Sequence, residues 1–264
     1  MPTSAPDILL VEDNPINRKV LLRQLLQLGY SAEFATNGQE ALDMLAERNG
    51  RVDIILMDCQ MPVLDGYAAT REIRRQEQET NRPRVAIVAV TAHANVGDRE
   101  KCLDAGMDDY LTKPVDMQLL GQTLERWLAI VASGANGNSS HSTSDRDSSS
   151  SSTMDIDIDA DRLDEITGGD AEFQRELIET FVEDAAEKLV QIRQALQSRD
   201  ATAVAGHAHT LKGASGNVGV TSIQVTAEKM EFAAKNGDLD AASQRMDELD
   251  RFLEGTRSFA AGLG

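Results

Sequence analysis

The sequence predicts two domains of different class: an α/β doubly wound five-stranded parallel sheet, followed by an all-α four-helix bundle. In the first half, short apolar runs typical of buried strands alternate with amphipathic helical segments. In the second half, apolar residues recur at helical spacing and no strand pattern is present. The length of 264 residues suits two domains, at about 100 to 200 residues for each.

The elements of the first domain follow from apolar runs and from the turn or capping residues beside them. Strands are predicted near 7–11, 31–35, 53–57, 85–90 and 109–112. Helices are predicted to begin near Pro15, Gly38, Gly66, Asn95 and Asp116. Such alternation favours crossover connections, which build parallel sheets.

The second domain is expected to contain four amphipathic helices. Asp170 can cap the first of them. Apolar stripes place the helices at 173–196, 204–218, 220–234 and 239–253. Short connections between them imply an antiparallel bundle.

A Ser/Gly-rich stretch separates the domains, and we expect residues 1–131 in the first, a flexible linker at 132–154 and the bundle at 155–264. The linker has almost no apolar residue with which to offset the entropy cost of ordering. Its r.m.s. span of roughly 25 Å would let the domains touch.

The acidic segment 155–161 has the beginning of a calcium-loop pattern, but the pattern then fails. Ala160 stands where the sharp turn requires Gly, and Ile166 stands where a bidentate Glu is required. We therefore expect an acidic lead into a short helix, capped by Asp161 or a neighbour.

Polar residues suited to phosphoryl chemistry stand at the ends of four predicted strands. Glu12 and Asp13 follow the first strand, Asp58 the third, Thr91 the fourth and Lys113 the fifth. Because parallel strands end at one edge of a sheet, these side chains should converge there. Carboxylates suit Mg2+, and a hydroxyl and an ammonium suit phosphoryl oxygens.

The order of these residues resembles the receiver domain of two-component response regulators, which has a flavodoxin-like fold. The runs Val11-Glu-Asp-Asn-Pro-Ile-Asn17 and Asp58-Cys-Gln-Met-Pro62 are similar to receivers of hybrid sensor kinases, and the resemblance covers about residues 5–131. A Mg-dependent phosphatase with an Asp nucleophile is the rival interpretation. In one large family it needs a second carboxylate two residues later, where this chain has Gln60.

The receiver resemblance implies a role for each of these residues. Asp58 would accept a phosphoryl group from a phosphohistidine, and Glu12, Asp13 and Asp58 would hold Mg2+. Thr91 and Lys113 would contact the phosphoryl oxygens. Thr91 and Tyr110 would act as switch residues, although an aromatic residue near a strand end equally suits plain packing.

His209 lies in a helix rich in small residues. At 100° per residue it falls about 140° from the centre of the apolar stripe, so we expect it to be exposed. Lys212 stands beside it to compensate phosphoryl charge, and glycines at 206, 213 and 216 leave room for another protein's active site. Interior glycines cost about 1 kcal/mol each relative to Ala. His207 lies nearer the core and suits a structural, hydrogen-bonded role.

The run His209-Thr-Leu-Lys-Gly-Ala-Ser215 resembles the signature of histidine-containing phosphotransfer (Hpt) domains, over about residues 155–264. The resemblance implies that His209 carries a phosphoryl group on a ring nitrogen and exchanges it with receiver aspartates. Such a domain needs no metal or nucleotide of its own.

Together these features predict a phosphorelay protein, with a sensor histidine kinase as phosphoryl donor and a downstream receiver or Hpt protein as partner. No Gly-rich phosphate-binding pattern or kinase-type nucleotide domain is apparent, so we expect a phosphotransfer protein and not an ATP-dependent enzyme. Two alternatives are the C-terminal fragment of a tripartite hybrid kinase and a binding adaptor that phosphorylation switches.

Composition excludes several other classes. The net charge of -18 and the lack of clustered Lys and Arg argue against a nucleic-acid partner. No apolar run approaches the roughly 20 residues of a membrane span, and the N-terminal residues lack a signal-peptide pattern. Cys59 and Cys102 are too few for a disulfide framework. We therefore expect a cytoplasmic protein, and we assign no function to His93 or His141.

Overall fold

The computed structural model describes residues 6–48, 50–91, 96–133 and 158–263. His93, His141 and most of the predicted linker lie outside these ranges. The last helix of the first domain ends at Ser133, and the described chain resumes at Ile158. Within the described ranges, none of the helices combines the length and the apolar character that a membrane crossing needs.

The first domain is a five-stranded parallel sheet with helices on both faces. Its strands are β1 (Ile8–Val11), β2 (Ala32–Ala35), β3 (Ile54–Asp58), β4 (Ala86–Thr91) and β5 (Asp109–Thr112). Its helices are α1 (Pro15–Gln27), α2 (Gly38–Glu47), α3 (Gly66–Thr80), α4 (Val96–Ala105) and α5 (Met117–Ser133). The strand order is β2-β1-β3-β4-β5. The predicted fold class is confirmed, and each strand end lies within one residue of its predicted place.

The three central strands β1, β3 and β4 are buried on both sides, as their continuous apolar runs require. Alternate residues of β1 face opposite sides, so that Leu9 and Val11 join one core cluster while Ile8 and Leu10 join the other. The central strands β1 and β3 are direct neighbours. Their carboxyl ends therefore bring the β1–α1 and β3–α3 loops together at one edge.

Local capping fixes both of these loops. The Asn14 side chain accepts hydrogen bonds from the backbone N–H groups of Ile16 and Asn17, at 2.9 and 3.0 Å, and so caps α1. Asp65 caps α3. Gly66 permits the second loop to close, because a Cβ atom there would lie 2.1 Å from the Asp58 carbonyl oxygen.

The second domain is helical. Its helices are α6 (Ala160–Thr167), α7 (Ala171–Gln197), α8 (Ala201–Val218), α9 (Thr221–Lys235), α10 (Leu239–Ser243) and α11 (Met246–Gly262). The four long helices α7, α8, α9 and α11 form the bundle that the apolar stripes predict. The expected short helix after the acidic lead is α6, which Asp159 caps.

The prediction of one continuous helix over 239–253 is wrong. The chain leaves the helix at Gln244 and Arg245, where the Arg245 N–H bonds to the Ala242 carbonyl three residues back. Ala242, Met246 and Leu249 are nevertheless all buried. Because the apolar spacing continues across the break, the pattern cannot reveal it.

The domains dock through α1, which lies against α7 and α8. Ile16 and Val20 are 0% and 3% exposed and belong to the hydrophobic core of the bundle. Buried polar contacts flank them: Asn14 Nδ2 donates to Asp184 Oδ2 at 3.1 Å, and Asn217 Nδ2 donates to Asn17 Oδ1 at 2.7 Å. The two domains therefore share an apolar core as well as specific hydrogen bonds.

Ion pairs extend this interface along α1. Lys19 Nζ lies 2.7 Å from Glu176 Oε1, and Arg23 lies 3.2 Å from Asp170 Oδ2. These pairs are partly exposed, so each contributes at most about 1 kcal/mol. They orient the docked domains more than they hold them together.

We expect Ile16→Ala to weaken docking, because it removes a fully buried side chain from the shared core at a cost of about 2 kcal/mol or more. Calorimetric unfolding of the intact chain should then separate into two transitions. Leu26→Ala is the matched control, since Leu26 lies on the same helix and is 62% exposed. Equal behaviour of the two variants would show that the α1 contact does not couple the domains.

Candidate functional site

Three carboxylates meet at the carboxyl edge of the sheet. Glu12, Asp13 and Asp58 each offer an oxygen atom, and these atoms all lie within 4.8 Å of one another. Glu12 and Asp58 are buried. Asn17 Nδ2 donates to Glu12 Oε1 at 2.8 Å and fixes the orientation of that carboxylate.

Lys113 is the cation within this group. Its Nζ lies 2.7 Å from Asp58 Oδ2 and 2.7 Å from Glu12 Oε2. Burial opposes the charge on Lys113, but the Asp58 and Glu12 carboxylates raise its pKa above the usual range. The buried ammonium is therefore a permanent positive charge in the pocket.

The site has three carboxylates and one ammonium, and this excess of negative charge affects the pKa of Glu12 and of Asp13. Burial raises the pKa of Glu12, and the negative charge of Asp58 raises it further. Burial and then Asp58 likewise raise the pKa of Asp13. Lys113 lies equally close to Glu12 and Asp58, and its charge opposes the rise in the pKa of Glu12 without cancelling it.

The other two residues predicted for this site differ in position. Thr91 is buried and lines the same cavity as Asp58 and Lys113. Tyr110 is partly buried and packs against the apolar cluster on one face of the sheet. Packing is thus what the structure shows for Tyr110, and its switch role stays a prediction.

A second ionic cluster surrounds His209 in the helical domain. His209 Nδ1 lies 3.0 Å from Glu231 Oε1. Lys212 Nζ lies 2.8 Å from Glu231 Oε2, and Lys235 Nζ lies 2.6 Å from Glu231 Oε1. Burial opposes ionisation of Glu231, but hydrogen bonds from His209, Lys212 and Lys235 hold its pKa well below the usual range.

This ionisation fixes the tautomer of the imidazole. An ionised carboxylate accepts hydrogen bonds and donates none, so Nδ1 of His209 carries the proton that bonds to Glu231. In the neutral ring, Nε2 then carries the lone pair. Nε2, the ring nitrogen farther from Glu231, is therefore the nitrogen with the chemistry of a nucleophile.

The expectation that His209 is exposed is wrong for the docked chain, because its side chain is only 17% exposed. Helical geometry turns it away from its own apolar stripe, as predicted, but Glu231 and the first domain then cover it. Lys212 is adjacent, as expected, but its ammonium bonds to Glu231. His207 is half-buried, and burial lowers its pKa.

The glycines near His209 do not all have the same steric role. A Cβ atom would meet nothing within 4 Å at Gly206 or Gly213. At Gly216 it would lie 2.9 Å from Gln224 Nε2. Around Gly213, which lines the cavity beside His209, the missing side chain leaves open volume.

The two clusters meet in one cavity between the domains. It has a volume of about 40 Å3 and is lined by Asp58, Thr91 and Lys113 from one domain and by His209 and Gly213 from the other, among others. A water needs about 10–15 Å3 by such a measure, so the cavity holds a group of a few heavy atoms. Both predicted phosphoacceptors therefore border the same small space.

Glu231 is the functional residue that the sequence analysis missed. It stands 22 residues after His209, within the apolar stripe of α9 between Met230 and Ala234. An acid in a stripe of buried residues requires a partner, since a buried charge is costly without one. The acidic residue among the apolar positions of α9 was therefore the sequence signal that pointed to Glu231.

Comparisons with known proteins match both domains. The family model for the response regulator receiver domain matches residues 8–125, and the model for the Hpt domain matches residues 176–259. Sensor histidine kinase GacS of Pseudomonas protegens is 28% identical over 249 residues, which are 94% of this chain and 26% of that protein.

Further similarity lies in the receiver domain. Hybrid signal transduction histidine kinase A of Dictyostelium discoideum is 44% identical over 120 residues, which are 45% of this chain and 6% of that protein. The chain thus spans about a quarter or less of the length of these two relatives.

Two solved structures are similar to about half of the chain. One is the receiver domain of sensor histidine kinase PA1611 from Pseudomonas aeruginosa PAO1, which has magnesium in its active site cleft. It is 49% identical, with a TM-score of 0.42, and the match covers 48% of this chain and 99% of that one. The complex of Saccharomyces cerevisiae Ypd1 with the receiver domain of Ssk1 gives 36% identity, a TM-score of 0.45 and coverage of 48% and 90%. The two family matches show that this chain has a response regulator receiver domain at residues 8–125, followed by an Hpt domain at residues 176–259.

Proposed function

We propose that Asp58 receives a phosphoryl group from the phosphohistidine of a sensor histidine kinase and exchanges it with His209 of the same chain. The observation that carries this proposal is the cavity of about 40 Å3 that both side chains line between the docked domains. Holding donor and acceptor together converts a bimolecular encounter into an intramolecular step.

The transfer from Asp58 to His209 balances without an added proton or cofactor. The lone pair on Nε2 forms the N–P bond, and the bond between phosphorus and the Asp58 oxygen breaks, leaving its electron pair on the carboxylate. The ring keeps the proton on Nδ1 and becomes positively charged. The ionised Glu231 stabilises that charge, at 3.0 Å from Nδ1.

Other residues of the cavity would stabilise the moving group. Lys113 would turn from the Asp58 carboxylate to the phosphoryl oxygens, and the Thr91 hydroxyl would donate to another of them. Lys212 is held by Glu231, so it would act through that carboxylate and through its charge. All three side chains would act by their position and charge.

Mg2+ fits the acidic cluster. It takes oxygen ligands and keeps several waters, and Glu12, Asp13 and Asp58 offer oxygen atoms within 4.8 Å of one another. When bound there, it would neutralise the excess of carboxylates and polarise phosphoryl oxygens.

The remaining partners follow from the domain pair. The phosphoryl donor would be a separate sensor kinase, or an upstream part of the same protein if this chain is a fragment of a hybrid kinase. The next carrier would be a downstream receiver or Hpt protein. We place the relay in the cytoplasm, which the two unbridged thiols of Cys59 and Cys102 support. An adaptor role alone leaves the His209–Glu231 pair unexplained.

We expect Mg2+ binding to release protons near neutral pH, because burial and Asp58 raise the pKa of Glu12 and of Asp13. Protons then compete with the metal, so affinity falls as pH is lowered through that raised range. Titration calorimetry in buffers of different ionisation enthalpy measures the release. Glu12→Gln should bind Mg2+ more weakly and release fewer protons, whereas the exposed control Glu33→Gln should match the unmodified chain. Proton release that is unchanged in Glu12→Gln would contradict this assignment.

We expect Asp58→Asn to abolish phosphorylation of both sites and His209→Gln to abolish only the base-stable phosphohistidine. Acetyl phosphate with Mg2+ loads the receiver, and alkali separates the labile aspartyl phosphate from phosphohistidine. Transfer in the intact chain should not depend on protein dilution, since both groups lie in one molecule. His207→Gln is the control and should retain both labels. Phosphohistidine at residue 207, or transfer that slows on dilution, would refute the intramolecular relay.

We expect Glu231→Gln to slow phosphorylation of His209 by about ten- to a hundredfold, because it removes the charge that fixes the tautomer and stabilises the phosphorylated ring. Nitrogen NMR of the imidazole should show loss of the Nδ1-protonated form. Glu228→Gln is the matched control on the same helix, because Glu228 is exposed and lies 4.0 Å from Lys212. Equal rates for the two variants would mean that Glu231 only packs.

A further inference from the structure

The docked helices α1 and α7 run antiparallel, and their contacts define a register. Arg23 meets Asp170, Lys19 meets Glu176 and Thr180, and Asn14 meets Asp184. Residues with lower numbers in α1 therefore contact residues with higher numbers in α7. The next turn of α7 therefore lies beyond the start of α1, beside the β1–α1 loop.

Lys188 occupies that next turn. It follows Asp184 by four residues, so the two side chains share one face of α7. Asp184 accepts a hydrogen bond from Asn14, the residue that follows Asp13, so Lys188 lies about one helical turn from the acidic loop of the receiver. Lys188 is half-buried, and its Nζ lies 3.5 Å from Gln191 Oε1. An ammonium of the Hpt domain thus lies near the acidic pocket of the receiver.

The sign of the charges reverses along the interface. Farther along α1, the receiver supplies the cations Lys19 and Arg23 and the bundle supplies acids. At the start of α1, the receiver supplies Asp13, and the bundle supplies Lys188 together with Asp184, whose carboxylate bonds to Asn14. The reversal sets the register of docking and brings positive charge to the pocket, which otherwise has Lys113 against three carboxylates.

We propose that Lys188 is a charge-compensating residue that the Hpt domain adds to the receiver's acidic pocket on docking. It is not one of the residues that line the cavity between Asp58 and His209, so it acts through the electric field of its charge. It favours a phosphoryl group in the pocket and opposes a metal ion there. Its effect on transfer rests on the proposed relay, whereas its effect on metal affinity does not.

The first test is the affinity of the intact chain for Mg2+ alone, measured by titration calorimetry without phosphoryl donor. Lys188→Gln should bind Mg2+ about two- to fivefold more tightly, because a like charge near the site is removed. Lys188→Arg should match the unmodified chain, and so should Lys229→Gln, a charge-matched control on an exposed site of α9. Unchanged or weaker binding in Lys188→Gln overturns the proposal.

The second test is the rate of transfer from Asp58 to His209 at saturating Mg2+. Lys188→Gln should slow it about two- to fivefold while remaining independent of dilution, and Lys188→Arg should restore it. Tighter metal binding with slower transfer is a combination that a general loss of structure does not produce. Slowing that depends on dilution would show that Lys188 merely holds the domains together, and would overturn the proposal. Absence of transfer in the unmodified chain would refute the relay, and the metal titration would still decide the role of Lys188.

Discussion

Helix α1 is shared by two hydrophobic cores, and the arrangement of the site depends on that sharing. Leu21 and Leu25 pack under the receiver sheet, whereas Ile16 and Val20 pack into the bundle. The same helix begins directly after Glu12 and Asp13, at the capping residue Asn14. Because α1 packs into both cores, it fixes the position of the acidic pocket along α7 and α8. His209 and Asp58 line the same cavity because the two cores meet along this one element.

The fold could be predicted from the sequence because its signals are local. Apolar runs of strand length place each receiver strand end within one residue. The helix break at Gln244 is different, since the core spacing passes across it. Docking is a contact between elements far apart in sequence, yet α1 has a trace of it: apolar residues occur on both its faces, at Ile16 and at Leu21, which a helix with one solvent face does not need.

The receiver part of the candidate site could be predicted, because its residue types are typical of metal and phosphoryl binding. Carboxylates, a hydroxyl and a lysine at strand ends converge in any parallel sheet. The burial of His209 was not predictable, because a helical wheel describes one helix and the covering groups come from α9 and from another domain. Glu231 shows the same limit. Its ionisation depends on three donors, from α8 and α9, and no spacing rule combines them.

Each proposed phosphoacceptor contacts a side chain of opposite charge, Asp58 through Lys113 and His209 through Glu231. Docking then encloses both in one small cavity, which would favour the proposed intramolecular transfer but also covers His209. In the proposed relay, a second receiver would reach that imidazole after α1 leaves the bundle. The ion pairs of the interface are partly exposed and weak, so Ile16, Val20 and the buried hydrogen bonds of Asn14 and Asn17 supply most of its stability. Because this contact is short, the proposed relay would use its release, and one face of the Hpt domain would serve its own receiver first and another receiver afterwards.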